Sequence, residues 1–135
     1  MRWFSFSLVA LGLWGVWGFL SKAATQHLPS SAVYLLSITG HLAVIAYLGM
    51  TGGLTIPWHP AGLGLALAGG ICMAFGLLSF FQALAAGPGA VVVPLTALYP
   101  MVTVLLSWAV LQEALSLRHL AGIALALVAG WLLSK

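Results

Sequence analysis

Long, uninterrupted apolar runs are the feature of this sequence that most limits what it can fold into. One run extends from Leu63 to Leu78 without a charged or amide side chain. A helix needs roughly 20 mainly apolar residues to cross about 30 Å of hydrocarbon, because each residue advances it by about 1.5 Å. Strands of a membrane barrel would instead alternate apolar and polar residues. The runs therefore predict membrane-spanning helices.

Composition agrees with this prediction. Of the 135 residues, 63% are hydrophobic and 4% are charged, whereas about a quarter of the residues in a soluble domain are charged. We predict an all-α, polytopic membrane protein in a lipid bilayer, a bundle of five transmembrane helices forming one domain over residues 1–135. Prolines, glycines and short polar stretches mark the turns. The predicted spans are about residues 3–20, 31–50, 61–85, 90–111 and 117–133.

The starts of the first and fifth spans carry local signals. Arg2, an apolar run and the small residues Ser21 and Ala23 also occur in signal peptides, but this run is long and four more spans follow it. We therefore interpret it as the first span, ending at Ser21 and Lys22. Ser116 precedes the fifth span, where its hydroxyl can accept bonds from the free amides of the first turn, which predicts a helix cap.

The basic residues are evenly divided between the two sides of the predicted bundle. With five spans, Arg2 and Arg118 lie on the amino-terminal side, and Lys22 and Lys135 lie on the other. Cytoplasmic loops normally carry the excess of lysine and arginine that fixes orientation, so equal counts permit insertion in both orientations. Two inverted copies would resemble the repeats of many transporters. We therefore predict an antiparallel homodimer, or a pair with an oppositely oriented paralogue.

Short motifs in the second half of the chain, with a looser one near its start, resemble those of a known family. In order, they are Leu13-Trp14-Gly15 with Lys22, then Phe80-Phe81-Gln82-Ala83-Leu84-Ala85-Ala86-Gly87, Val93-Pro94-Leu95, Tyr99-Pro100, Leu111-Gln112-Glu113-Ala114-Leu115-Ser116 and His119-Leu120-Ala121-Gly122. Their order is similar to that of the EamA-type domain of the drug/metabolite transporter superfamily. The joint order across five spans is more specific than any single motif.

The resemblance implies a membrane transporter, an exporter or facilitator of small metabolites or drug-like molecules, in a bacterial inner or archaeal plasma membrane. Most members carry two such domains, so one domain resembles the half-size members. The family often has an arginine in the second span, where this chain offers only His41 as the nearest polar substitute. Small multidrug exporters of the superfamily use an acid in the first helix. This first span has none, which favours neutral, zwitterionic or amphipathic substrates.

A polar stripe in the fourth span is the first candidate for a substrate path. Thr96, Tyr99, Thr103 and Ser107 are spaced three, four and four apart, so at 3.6 residues per turn they share a face about 80° wide. Unpaired polar groups are costly in hydrocarbon, so these side chains either bond their own helix or line a polar cavity. Pro94 and Pro100 each remove a backbone hydrogen bond and predict a bend or hinge in this span.

Other candidates for substrate binding are scattered over the first three spans. Each also has an ordinary structural interpretation. Ser79, Gln82 and His41 can form hydrogen bonds within or between helices. Trp14 and its neighbour Trp17 can pack in the core, and Lys22 can lie at the membrane interface. The functional alternatives are hydrogen bonding to substrate (Gln82), proton exchange (His41), an aromatic cavity wall (Trp14 and Trp17) and attraction of anions (Lys22).

Small residues recur every four positions in the fifth span. Gly122, Ala126 and Gly130 form a flat strip where another helix can approach closely, which suits packing or a dimer seam. At the start of this span, Glu113 and Arg118 are close enough in sequence to form a loop ion pair.

Several function classes find no support in the residues. The net charge of +3 is too scattered for a nucleic-acid surface. The sequence contains no metal-ligand cluster, no nucleophile–base pair and no phosphate-binding glycine loop, so we expect no enzymatic activity, metal site or cofactor. Two alternatives to a transporter stay open: a flippase-like subunit for a lipid-linked molecule, and a non-transporting membrane assembly or scaffold protein.

Overall fold

The structure is a computed structural model. It describes the backbone of residues 2–133 and the side chains of residues 4–132. This part of the protein is all-α. The predicted fold class is confirmed. Lys135 and the side chains of Arg2 and Trp3 lie outside the described residues. The helices are α1 (Arg2–Thr25), α2 (Ser30–Met50), α3 (Pro60–Ala86), α4 (Gly89–Thr96), α5 (Tyr99–Leu111) and α6 (Leu117–Leu133).

Among the described residues, four stretches of helix are long and apolar enough to cross a membrane. They cover Phe4–Thr25, Ser30–Met50, Pro60–Ala86 and Gly89–Leu111. The last helix, α6, has 17 residues, which is the lower limit for a spanning helix. Prolines stand at several helix starts: Pro29 directly precedes α2, Pro60 begins α3, and Pro88 directly precedes α4.

The first helix ends later than the sequence predicts, at Thr25 instead of Leu20. Ser21 and Lys22 are polar, but neither disrupts the backbone, and the alanines that follow favour a helix. Thr25 donates its hydroxyl proton to the Lys22 carbonyl at 2.9 Å within the last turn. Gln26 to Leu28 then form a turn before Pro29, which has no N–H to bond the Thr25 carbonyl.

The fourth predicted span, residues 90–111, is not one continuous helix. It is broken at Ala97 and Leu98, between α4 and α5. The amide of Leu98 bonds the Leu95 carbonyl at 3.2 Å, a tighter turn than an α-helix makes. The physical cause is the pair of prolines that flank the break, since neither Pro94 nor Pro100 has an N–H to continue the ladder.

The chain divides into two compact units, Met1–Ala86 and Gly87–Lys135. In the described part of the first unit, α1 and α2 both pack on α3 and on each other. Its buried apolar side chains are Val33, Phe81 and Leu84. In the described part of the second unit, α4 packs on α6, and the buried Gly130 lies against Leu98.

Candidate functional site

An aromatic cluster joins α1 to the last turns of α3 in the first unit. The ring of Trp17 stacks on Phe80, with centroids 5.1 Å apart and planes 23° apart, and lies 6.0 Å from Phe81. Phe81 is fully buried. Trp17 therefore packs against α3, while 37% of it stays exposed in a single copy of the chain. Trp14, one turn earlier, is 62% exposed in a single copy of the chain and is the indole left to face lipid, a partner or a substrate.

Two polar side chains of the first unit bond to carbonyls near the end of α3. The Lys22 ammonium donates to the Leu84 carbonyl at 2.7 Å, and the Ser30 hydroxyl donates to the Phe81 carbonyl at 3.3 Å. Leu84 is among the last four residues of α3, whose carbonyls have no partner within the helix. A cation at this end also complements the helix dipole. Lys22 thus helps to hold α1 against the end of α3.

The remaining polar candidates of the first unit differ in how well they are satisfied. The His41 ring nitrogen Nδ1 lies 3.3 Å from the Ser37 carbonyl of its own helix, and Ser79 donates to the Phe75 carbonyl at 2.9 Å. Gln82 is exposed on α3, and no described residue forms a hydrogen bond with its amide. Gln82 is therefore the candidate here that retains free hydrogen-bonding capacity.

The polar stripe of the fourth span is divided by the break. Thr96 ends α4 and donates its hydroxyl to the Val92 and Val93 carbonyls, at 2.8 and 3.0 Å. Tyr99 and Thr103 lie on one side of α5, both exposed, and neither hydroxyl bonds to any described residue. The ordinary structural interpretation therefore fits Thr96, whereas Tyr99 and Thr103 present unbonded hydroxyls.

The break lies near the middle of the apolar stretch Gly89–Leu111. Pro100 lacks an N–H, so the Thr96 carbonyl has no donor in the α-helical pattern. This carbonyl is therefore a hydrogen-bond acceptor near the middle of the span. In transporters, interrupted helices near the bilayer midplane commonly surround the substrate. Together with Tyr99, this segment can hold a ligand through hydrogen bonds; it contains no group suited to covalent chemistry.

A groove of about 430 Å³ runs between α5 and α6 within the second unit. Its walls are mainly apolar, and the α6 side includes Gly122 and Ala126, two of the three small residues of the predicted strip. The third, Gly130, does not line the groove, because Leu98 of the same unit packs on it. At least this end of the strip serves packing within the chain.

Two histidines act as helix caps, a role that the sequence analysis missed. The His59 Nδ1 accepts from the Gly62 amide at 3.0 Å at the start of α3. The Ser116 hydroxyl accepts from the His119 amide at 3.3 Å, and His119 Nδ1 accepts from the Ser116 amide at 3.3 Å. The cap predicted for Ser116 is confirmed. The signal for His119 was the spacing Ser-x-x-His, a capping box with histidine in the place of glutamate or glutamine.

Two further points concern the Glu113–Arg118 pair and the side chains that could bind a metal ion. Although Glu113 and Arg118 both line the groove, no ion pair joins them, which contradicts the predicted loop pairing. No group of three or more metal-binding side chains occurs among the described residues.

Comparisons with known proteins agree with the motif order. The profile of the EamA-like transporter family matches residues 1–135. No curated protein and no solved structure matches the chain. With the apolar helices and the broken fourth span already described, this match over the whole chain shows that the protein belongs to the EamA-like transporter family and is a multi-pass membrane transporter of small molecules.

Proposed function

We propose that the chain moves small neutral, zwitterionic or amphipathic metabolites across the membrane, along a path lined by the side of α5 that carries Tyr99 and Thr103. The observation that carries the proposal is the interruption of the fourth span at Ala97 and Leu98, near the middle of Gly89–Leu111. Interrupted helices at this depth offer backbone polar groups that a continuous helix would keep bonded.

The hydroxyls beside the break supply the polar contacts that such a path needs. The Tyr99 side chain is 57% exposed in a single copy, and neither its hydroxyl nor that of Thr103 has a partner among the described residues. A hydroxyl left unpaired in hydrocarbon costs about 1–3 kcal/mol by mutational measures. A substrate, water or a second copy would remove that cost.

The charge distribution favours substrates without a strong positive charge. The first helix contains no acidic residue, and Glu113, the one acid of the sequence, lies in the loop after α5. A cation that crossed the hydrocarbon region would therefore meet no carboxylate there, and moving an unpaired charge into that region is costly.

The test is transport by purified protein in liposomes. Radiolabelled neutral and zwitterionic amino acids would be compared with the lipophilic cation tetraphenylphosphonium. For an amino acid that wild type carries, Tyr99→Phe is expected to lower the initial rate about tenfold, the loss that corresponds to one hydrogen bond of about 1.4 kcal/mol. Tyr47→Phe is the matched control, since Tyr47 is an exposed tyrosine that belongs to a different helix, α2.

Equal rates for the two tyrosine variants would contradict a path along α5. Transport of tetraphenylphosphonium alone would contradict the proposed substrate class. If no probe crosses faster than in empty liposomes, while the protein is folded and bound to the membrane, the scaffold alternative would be favoured.

We further propose that two copies function as an antiparallel pair. The support is the equal division of basic residues between the two sides of a five-span chain, together with polar side chains such as Gln82 that a single copy leaves unbonded. An inverted pair would place two broken helices around one site near the midplane.

Reporter fusions to the carboxyl terminus test the orientation. Activity of both a cytoplasmic and a non-cytoplasmic reporter is expected for wild type. Arg118→Gln leaves one basic residue against two, so the carboxyl-terminal face should become cytoplasmic in most molecules. A signal from one face only in wild type would contradict dual topology and favour an oppositely oriented paralogue as the partner.

A further inference from the structure

The groove between α5 and α6 has a polar end and an apolar length. Its polar end is formed by Glu113, Arg118 and His119, at the loop that joins the two helices. Its walls continue along Met101 and Val104 of α5 and along Ile123 and Ala126 of α6. The groove therefore changes from charged to apolar along a single direction.

The polar end offers both an anion site and a cation site. Because His119 Nδ1 accepts from the Ser116 amide, the neutral ring keeps its proton on Nε2, which is then a donor. Arg118 adds a guanidinium that can bond a phosphate through two N–H groups. Glu113 forms no ion pair with Arg118, so its carboxylate is available to an ammonium group. The three side chains are thus complementary to a phosphate linked to a primary amine.

The length of the groove agrees with the depth of one lipid leaflet. From Arg118 to Ala126 the axis of α6 advances about 12 Å, at about 1.5 Å per residue. Half of a hydrocarbon core about 30 Å thick is about 15 Å. Since the charged end lies at the helix boundary and the apolar walls lie on the membrane side, a lipid headgroup and its acyl chain would each meet a matching surface.

We propose that this groove binds one phospholipid whose headgroup carries a primary ammonium, with the phosphate at Arg118 and His119, the ammonium at Glu113, and one acyl chain along Val104, Ile123 and Ala126. The groove lies entirely within the second unit and does not contain Tyr99 or Thr103. Ser107 of the polar stripe does line the groove. The groove variants used as tests leave Tyr99 and Thr103 unchanged, so either proposal can fail without the other.

Native mass spectrometry of the intact protein tests the headgroup preference. Protein from nanodiscs that contain equal amounts of phosphatidylethanolamine, phosphatidylcholine and phosphatidylglycerol, all with the same acyl chains, would be released and its bound lipid counted. Wild type is expected to retain phosphatidylethanolamine about fivefold over each of the others, the ratio that one partly exposed ion pair supports. Phosphatidylcholine keeps the phosphate but cannot donate from its quaternary amine.

Two headgroup variants separate the contacts. Glu113→Gln should abolish the preference for phosphatidylethanolamine over phosphatidylglycerol while a lipid is still bound. Arg118→Gln should lower the retention of all three lipids, because each has the phosphate. Both positions are exposed, so neither change removes a buried group from the fold.

Two variants of α6 test the acyl-chain contact. Ala126→Leu fills the groove and should lower the retention of every lipid, whereas Ala121→Leu, the same change at an exposed position that does not line the groove, should not. Equal retention of the three lipids by wild type, or equal behaviour of the two leucine variants, would overturn the proposal. Cys72, the one cysteine of the sequence, would be replaced by serine for a further test. A disulfide between two Ala126→Cys copies in this background would also overturn the proposal, because it would show that a second copy covers the groove.

Discussion

The two units of this transporter differ in the contacts that stabilise each of them internally. In the first unit, an aromatic cluster and two bonds to backbone carbonyls fix α1 and α2 to the last turns of α3. In the second, a glycine lets Leu98 pack closely on α6, the fourth span is interrupted, and a groove is left open. The helices of the first unit are therefore tied to one another by side chains, whereas in the second unit unbonded hydroxyls lie beside a proline-interrupted helix.

The largest expected effect is in the aromatic cluster of the first unit. Phe81→Ala removes a fully buried ring that contacts Trp17 and Phe80. The expected loss in the free energy of unfolding is about 3 kcal/mol, at the lower end of the range for soluble cores, because lipid replaces water as the alternative environment. Unfolding by sodium dodecyl sulfate in mixed micelles measures it. Phe75→Ala, at a 69% exposed ring of the same helix, should cost little. Equal losses of unfolding free energy for the two variants would mean that the aromatic cluster does not stabilise the first unit.

A smaller effect is expected where the second unit is packed most closely. A side chain at Gly130 would overlap Leu98, so Gly130→Leu should destabilise the protein by about 2 kcal/mol through overpacking. Gly122→Leu is the matched control on the same helix, because a Cβ atom added at this groove-lining position meets no atom within 4 Å. Adding Leu98→Ala to Gly130→Leu should restore part of the loss in the same unfolding measurement. Without such recovery, the contact between α6 and the break would not explain the cost.

The helices and most of their bounds could be predicted because they depend on local properties: apolar length, proline positions and the spacing of a cap. The contacts of Lys22 could not be predicted in the same way. Its partner, the Leu84 carbonyl, is 62 positions away and is a backbone atom, which no side-chain pattern marks. Likewise, Gly130 belongs to a regular strip with Gly122, and only the fold of the second unit shows that Leu98 covers it.

The break in the fourth span illustrates the same limit within one helix. Pro94 and Pro100 predicted a bend, but the polar stripe was derived as if 3.6 residues per turn held throughout. Between Thr96 and Tyr99 the backbone leaves the α-helix, so that spacing no longer relates the two side chains. Within α5 the spacing still applies, and Tyr99 and Thr103 share one side of the helix.

The smallest expected effect is at Lys22, and it tests whether this residue stabilises the fold or binds substrate. Lys22→Met keeps the length of the side chain but removes the ammonium that bonds the Leu84 carbonyl and complements the end of α3. Since the site is only partly buried, the loss in the free energy of unfolding should be about 1 kcal/mol, and Lys22→Arg should retain most of it. Transport of a neutral amino acid by Lys22→Met, measured below its unfolding range, should stay close to wild type. If stability were unchanged while transport of an anionic probe such as glutamate fell, the ammonium would act on substrates, and Lys22 would not have a structural role alone.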